Sequence, residues 1–250
     1  MQVVYLRFHA ISYNRVVKKH RRTIFLAVGL IILFIFLFSK KIDAPGGLFS
    51  QKDTKASVTT PSFDKNKHST TDPASIWVVV NKSRPLNPLT YAPTDLSNVG
   101  GNQQLRKEAA TALTTMFSAA AKEKLILKPL SSFRSYATQV TVYNREVAAN
   151  GKAIADTQSA QPGKSEHQTG WAIDIGGGGC GIEDCFGNTK EGKWVAANAY
   201  KYGFIIRYVA GKEAVTGYRA EPWHIRYIGV ELATEMNKKG IQTLEEFFGL

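Results

Sequence analysis

Residues 165–174 read Ser165-Glu166-His167-Gln168-Thr169-Gly170-Trp171-Ala172-Ile173-Asp174, and the architecture of the chain is decided by how that stretch is understood. Its second half, Trp171 to Ile175, is apolar except for Asp174, the pattern of a buried strand that carries one carboxylate. A lone carboxylate costs too much in such a place unless it is paired or holds a cation. Gly170 lets the backbone turn between His167 and the strand. A second polar cluster, Glu221-Pro222-Trp223-His224, lies further on. Pro222 opposes a helix, so Glu221 and His224 are expected on a turn that enters a strand.

The chain has five histidines, and His9, His20 and His68 precede the region of globular character. His68 reads as a solvated residue. That leaves His167 and His224, one in each cluster. A catalytic zinc site takes three protein ligands and keeps a position open for water or substrate. His167, Asp174 and His224 would satisfy it. Glu221 would then reach the attacking water, take its proton and pass it to the leaving group. Each signal is weak alone, since a buried histidine is more often a satisfied core residue and E-x-x-H arises by chance. On the residues alone, a zinc site and plain core packing stand side by side.

Outward from these clusters, Ile76–Asn81 (IWVVVN) reads as a short buried strand. Gln103 to Lys124 carries an apolar stripe at helical spacing, namely Leu105, Ala109, Ala112, Leu113, Met116, Phe117 and Ala120. Helices are also expected over 136–149, 193–202 and 230–239, and strands over 204–208 and 223–227. Helices and strands do not alternate strictly, which favours an α+β domain over residues 75–250.

The N-terminal part is of another kind. Thr23 to Ser39 contains no charge, and its 17 residues make roughly 26 Å of helix, the short end of a membrane span. The run exceeds a signal-peptide core, and Lys40 and Lys41 follow where a cleavage site would want small neutral residues, so a transmembrane anchor over 23–39 is expected. Six Lys/Arg precede it, which places the basic segment 1–22 in the cytoplasm and the rest outside. Residues 40–74, rich in Ser, Thr, Lys, Asp, Gly and Pro, read as a flexible stem. Residues 1–41 hold eight basic and no acidic residues, so of the net +12 only +4 belongs to 42–250. The basic excess is a property of the N-terminus, and no nucleic-acid partner is expected. Cys180 and Cys185 are too few for a disulfide scaffold; a local disulfide and two free thiols both fit their spacing.

Ser165–Asp174 and Glu221–His224 resemble the paired S-x-H-x-x-G-x-A-x-D and E-x-W-H signatures of the VanY-type D-alanyl-D-alanine carboxypeptidases. These belong to the LAS metallopeptidases, which also include L,D-carboxypeptidases of the LdcB type. Ser132-Phe133-Arg134-Ser135 with Gln139, Pro162-Gly163 and His224-Ile225-Arg226-Tyr227 extend the likeness across roughly 76–247. The resemblance implies a small antiparallel sheet flanked by helices, one Zn2+ on His167, Asp174 and His224, and Glu221 as catalytic base. It implies that Arg134 stabilises the charge on the scissile carbonyl oxygen. Ser165 and Gln139 would hydrogen-bond the substrate, and Trp223 would wall the site. The implied substrate is the stem peptide of peptidoglycan, cut at its last bond. D,D cleavage is favoured, with L,D cleavage, endopeptidase action and an inactive wall-binding module as the alternatives. Gln161 departs from the family pattern, where many relatives carry Arg, and Gly176–Gly181 is a glycine-rich insertion at the expected rim.

Overall fold

The computed structural model describes residues 63–250. The segments 1–22 and 23–39, and most of the 40–74 stem, lie outside the described residues. Among those described, no helix is long and apolar enough to cross a membrane.

Two antiparallel sheets organise the domain. Strands β1 (Leu96–Asn98) and β2 (Gln104–Arg106) form a small ladder. The larger sheet contains β3 (Leu127–Ser131), β4 (Ala172–Gly177), β5 (Phe204–Tyr208) and β6 (Glu221–Tyr227), in the order β3-β4-β6-β5. Every neighbouring pair is antiparallel. Strand residues alternate between faces, so Ile173, Ile175 and Ile225 turn one way while Asp174, His224 and Arg226 turn the other. The three isoleucines are buried in the main core with Leu105, Leu113 and Met116. Most of that helical contribution comes from α1 (Lys107–Lys122).

The expected 103–124 helix therefore starts four residues late, because Gln104–Arg106 pairs with β1 first. Leu105 is buried in the core from a strand rather than from a helix. Further helices are α2 (Tyr136–Asn150), α3 (Lys152–Gln158), α4 (Lys190–Asn198), α5 (Glu213–Thr216), α6 (Val230–Lys239) and α7 (Leu244–Phe248). The expected 193–202 helix is α4 followed by a 3₁₀ turn over Ala199–Tyr202.

Residues 76–81 correct the expectation of a strand. They have no strand pairing, although Trp77, Val78, Val79 and Val80 are all buried. The carbonyls of Ile76 and Val78 instead accept from the Arg226 guanidinium, each at 3.0 Å. An apolar β-branched run records burial, and here a side chain takes the place of a neighbouring strand. The end of the expected stem also differs from a free tether. Phe63 stacks on Trp77 at 5.5 Å and meets Phe247 edge-on at 5.4 Å. The exposed His68 packs edge-on against Trp77 at 4.7 Å. Chain packing thus begins by residue 63 rather than 75.

Candidate metal centre

Antiparallel register brings the two clusters together. Asp174 on β4 is the direct cross-strand partner of His224 on β6, so their side chains emerge side by side on one face. His167 arrives from a one-turn 3₁₀ helix, Glu166–Thr169, that ends at Gly170 in the left-handed region (φ 72°). A Cβ at Gly170 would stand 2.8 Å from Arg106 Cγ, so both the turn and the packing demand glycine there. One ligand atom from each of His167, Asp174 and His224 lies within 4.8 Å of the others, a spacing that could hold a metal ion. All three residues are buried.

The polar atoms converge rather than pair. His167 Nδ1 is 2.8 Å from the Ser132 carbonyl, which can only accept. Nδ1 therefore carries the proton, and the Nε2 lone pair points to the centre, 3.3 Å from Asp174 Oδ2. His224 Nδ1 lies 3.1 Å from Asp174 Oδ1, yet that oxygen has no hydrogen bond, so the two meet without hydrogen-bond geometry. A buried carboxylate oxygen and two imidazoles aimed at a common point are what a cation would satisfy. Two imidazoles and one carboxylate form a donor set suited to zinc.

Burial holds the His167 imidazole neutral, its pKa lowered to about 4, with the Arg134 charge adding to the effect. Burial works against protonation of His224 too, but the facing carboxylates of Asp174 and Glu166 outweigh it and raise its pKa to about 9. A cation bound at Nδ1 would displace that proton. The Asp174 carboxyl is held well below the usual carboxylate range; burial opposes this, and the facing imidazoles overcome it.

Glu221 opens β6, with Oε2 3.7 Å from His224 Nδ1. Burial, reinforced by the Asp174 charge and opposed by His224, pushes its pKa up to about 7. A carboxylate poised near neutrality can both take and return a proton. Arg134 follows β3 and reaches to 3.8 Å from Asp174 Oδ2. Its Nη1 donates to Gln139 Oε1 at 2.9 Å, and Gln139 Nε2 donates to the Ala160 carbonyl at 2.7 Å. Gln139 is fully buried and braces the guanidinium, leaving one amide N–H and one lone pair for anything else. Ser165, buried, and Trp223 border the same cavity, although Trp223 is also part of the main core.

That cavity, about 440 Å³, is within the range of small-ligand sites. Its wall includes Glu146 of α2, Ile182, Tyr208 and Arg219. Ile182 sits within the loop closed by a disulfide between Cys180 and Cys185, which resolves the cysteine alternative. The glycine-rich insertion is tightly packed at its start, where a Cβ on Gly176 would stand 2.7 Å from the Cys180 carbonyl oxygen, and open at Gly179, where a Cβ would meet nothing within 4 Å.

Several residues of the neighbourhood carried no role in the sequence reading. Glu166, Arg207, Arg226 and Glu245 are buried charges linked by ion pairs just behind His224. The signal was present, since arginine in the apolar strands Phe204–Tyr208 and Trp223–Tyr227 demands a buried acid.

The class that this fold and site define is the mononuclear metallohydrolases, in which three side chains hold one ion and a fourth handles the proton. Comparison with known proteins narrows it. The sequence model described as VanY, D-alanyl-D-alanine carboxypeptidase, matches residues 102–230. A putative carboxypeptidase of Bacillus subtilis, YodJ, is 45% identical over 188 residues, covering 71% of this chain and 68% of the relative. A D-alanyl-D-alanine carboxypeptidase of Enterococcus faecalis is 33% identical over 179 residues, 68% of this chain and 64% of the relative. Among solved structures, the LdcB LD-carboxypeptidase superposes with TM-score 0.66 at 44% identity, covering 71% of this chain and 87% of the other. A mutant of the D,D-pentapeptidase VanY from a VanB-type resistance cassette, in complex with Zn(II), gives TM-score 0.60 at 32% identity, covering 68% and 97%. The chain belongs to the VanY family of D-alanyl-D-alanine carboxypeptidases.

Proposed function

We propose that this chain is a zinc carboxypeptidase that releases the terminal D-Ala of peptidoglycan stem peptides, with D,D cleavage favoured. The observation that carries the reading is the convergence of His167, Asp174 and His224 ligand atoms within 4.8 Å, with the Glu221 carboxylate beside them. Zinc held there would act as a Lewis acid toward the scissile carbonyl and make water a better nucleophile near neutral pH. His167 and His224 supply neutral nitrogen donors, and Asp174 supplies the charge that balances the site. Glu221 accepts the proton of the attacking water and delivers it to the leaving amine. The Arg134 guanidinium, braced by Gln139, faces the negative charge that grows on the carbonyl oxygen. Ser165 and the free edge of Gln139 bind the substrate beside the scissile bond, and Trp223 walls the pocket.

The higher identity to the LdcB LD-carboxypeptidase supports a second reading, removal of D-Ala from tetrapeptide stems by L,D cleavage. For placement, we propose that residues 23–39 anchor the chain, with 1–22 cytoplasmic and the catalytic domain outside. The uncharged run and the six basic residues ahead of it support this.

The test is mass spectrometry of synthetic penta- and tetrapeptide stems incubated with the purified full chain, with and without chelator. Loss of one D-Ala, abolished by chelator and restored by zinc, is expected, and the preferred peptide separates D,D from L,D cleavage. Fragments larger than one residue would indicate an endopeptidase. No turnover by folded, zinc-loaded protein that still binds cell wall would indicate a binding module.

A further inference from the structure

We propose that Glu166 is a positioning residue for His224, holding the ring's Nε2–H so that Nδ1 faces the metal position. The inference rests on the metal-centre reading given above. His224 Nδ1 is the nitrogen that faces Asp174 and Glu221, at 3.1 and 3.7 Å. Its other nitrogen, Nε2, lies 3.4 Å from Glu166 Oε2. Neither of those two buried atoms has a hydrogen-bond partner among the described residues, so each is open to the other. The rest of Glu166 is fixed: Oε1 accepts from Arg207 Nε at 2.8 Å and from Arg226 Nη1 at 3.0 Å. Both guanidiniums converge on one oxygen, which leaves the second turned toward the imidazole.

The supports of Glu166 are themselves anchored. Arg207 makes a two-pronged pair with Glu245 of α7, at 2.9 and 2.7 Å. Asn81 donates to the same carboxylate at 2.9 Å. Arg226 is held by the Ile76 and Val78 carbonyls. A carboxylate fixed this firmly selects one ring orientation and one tautomer for its histidine, and makes that histidine a stronger donor. His167 is oriented in the same manner, but by the neutral Ser132 carbonyl. The two imidazoles are therefore unequal, His224 being the more basic donor.

The full chain and two variants, Glu166→Gln and Glu245→Gln, separate positioning from plain stability. Both substitutions disturb the buried ion network, but only the first alters the group facing His224. Zinc affinity, measured by competition with a chromophoric chelator, is expected to fall about 10- to 100-fold in Glu166→Gln. It should be unchanged in Glu245→Gln, even though both variants melt at lower temperature. Unchanged affinity in folded Glu166→Gln overturns the inference while leaving the metal reading intact. A wild-type chain that binds no zinc overturns the metal reading and this inference with it. Should Glu166→Gln fail to fold, nitrogen-15 NMR of the zinc-loaded wild type decides. The expected His224 ring carries its proton on Nε2, exchanging more slowly than any ring proton of the exposed His68. A proton on Nδ1, or exchange as fast as at His68, overturns the proposal.

Discussion

Two clusters of buried charge share one face of the central sheet and differ in how they are satisfied. Around Glu166, Arg207, Arg226 and Glu245, short hydrogen bonds join acid to base, and Glu166 Oε2 is the one buried atom without a bond. Around His167, Asp174 and His224, the metal-facing atoms gather without pairing, and Asp174 Oδ1 is left over. Folding alone favours the first arrangement, because an unmet buried polar group costs about 1–3 kcal/mol. The second therefore marks a place built for a ligand rather than for stability. The difference separates a structural network from a site even where residue types and burial are alike.

The sharpest way to break this comparison is Glu221→Gln. Glu221 stands at the edge of the unpaired cluster, and in the proposed mechanism it carries the proton from water to the leaving amine. D-Ala release should fall about 10²- to 10⁴-fold. Zinc stoichiometry and melting temperature should hold, because the amide keeps the shape and removes a charge that burial disfavours. A variant that loses zinc or stability in parallel with activity would place Glu221 in the structural network instead.

Arg207→Met reverses the expectation. It takes one fully buried ion-pair partner from each of Glu166 and Glu245, leaving Glu166 to Arg226 alone and Glu245 with only the Asn81 amide. Breaking such a pair from one side costs about 3–5 kcal/mol, read as a drop in the urea midpoint. A loss below about 1 kcal/mol would mean that the network is not the rigid backing that the comparison makes it.

Zinc supplies the third contrast. A ligand at a hundredfold its Kd adds about 2.7 kcal/mol to the folded state. For a domain of this size that is roughly 5–10 °C in Tm. Chelator should remove this increment from the wild type, whereas Asp174→Asn should show no zinc-dependent shift at all. A full shift in that variant would exclude Asp174 as a ligand.

What the sequence disclosed follows the same line. Asp174 stood out because a carboxylate is costly in an apolar strand, while His167, Glu221 and His224 were singled out by the paired motifs rather than by their surroundings. The helices over 136–149 and 230–239 were legible from local pattern, and are found as Tyr136–Asn150 and Val230–Lys239. Two arginines in apolar strands signalled a buried acid, but which acid was not legible, because Arg207 and Arg226 meet Glu166 only after β5, β6 and the 3₁₀ turn have packed. The 76–81 segment misled for the same reason: its carbonyl partner is a side chain 150 residues away in sequence. Local pattern reports which groups are buried, and only tertiary structure reports what meets them.

The smallest effect is expected at the rim, where neither cluster is touched. Closing the five-residue separation between Cys180 and Cys185 restricts the unfolded chain by only about 2 kcal/mol, since the loop is short. Replacing both cysteines with serine should cost no more than that. The loop still bears on the cavity, because Ile182 lines it and Asp184 lies 3.5 Å from Arg219, whose guanidinium covers the Trp223 ring. Loosening it should therefore raise KM for the peptide and leave kcat nearly unchanged, since Asp174, His224 and Glu221 stand on the sheet and His167 on the 3₁₀ turn before it, none of them on the loop. A fall in kcat as large as that of Glu221→Gln would contradict this, and would mean that the rim and the unpaired cluster act as one unit.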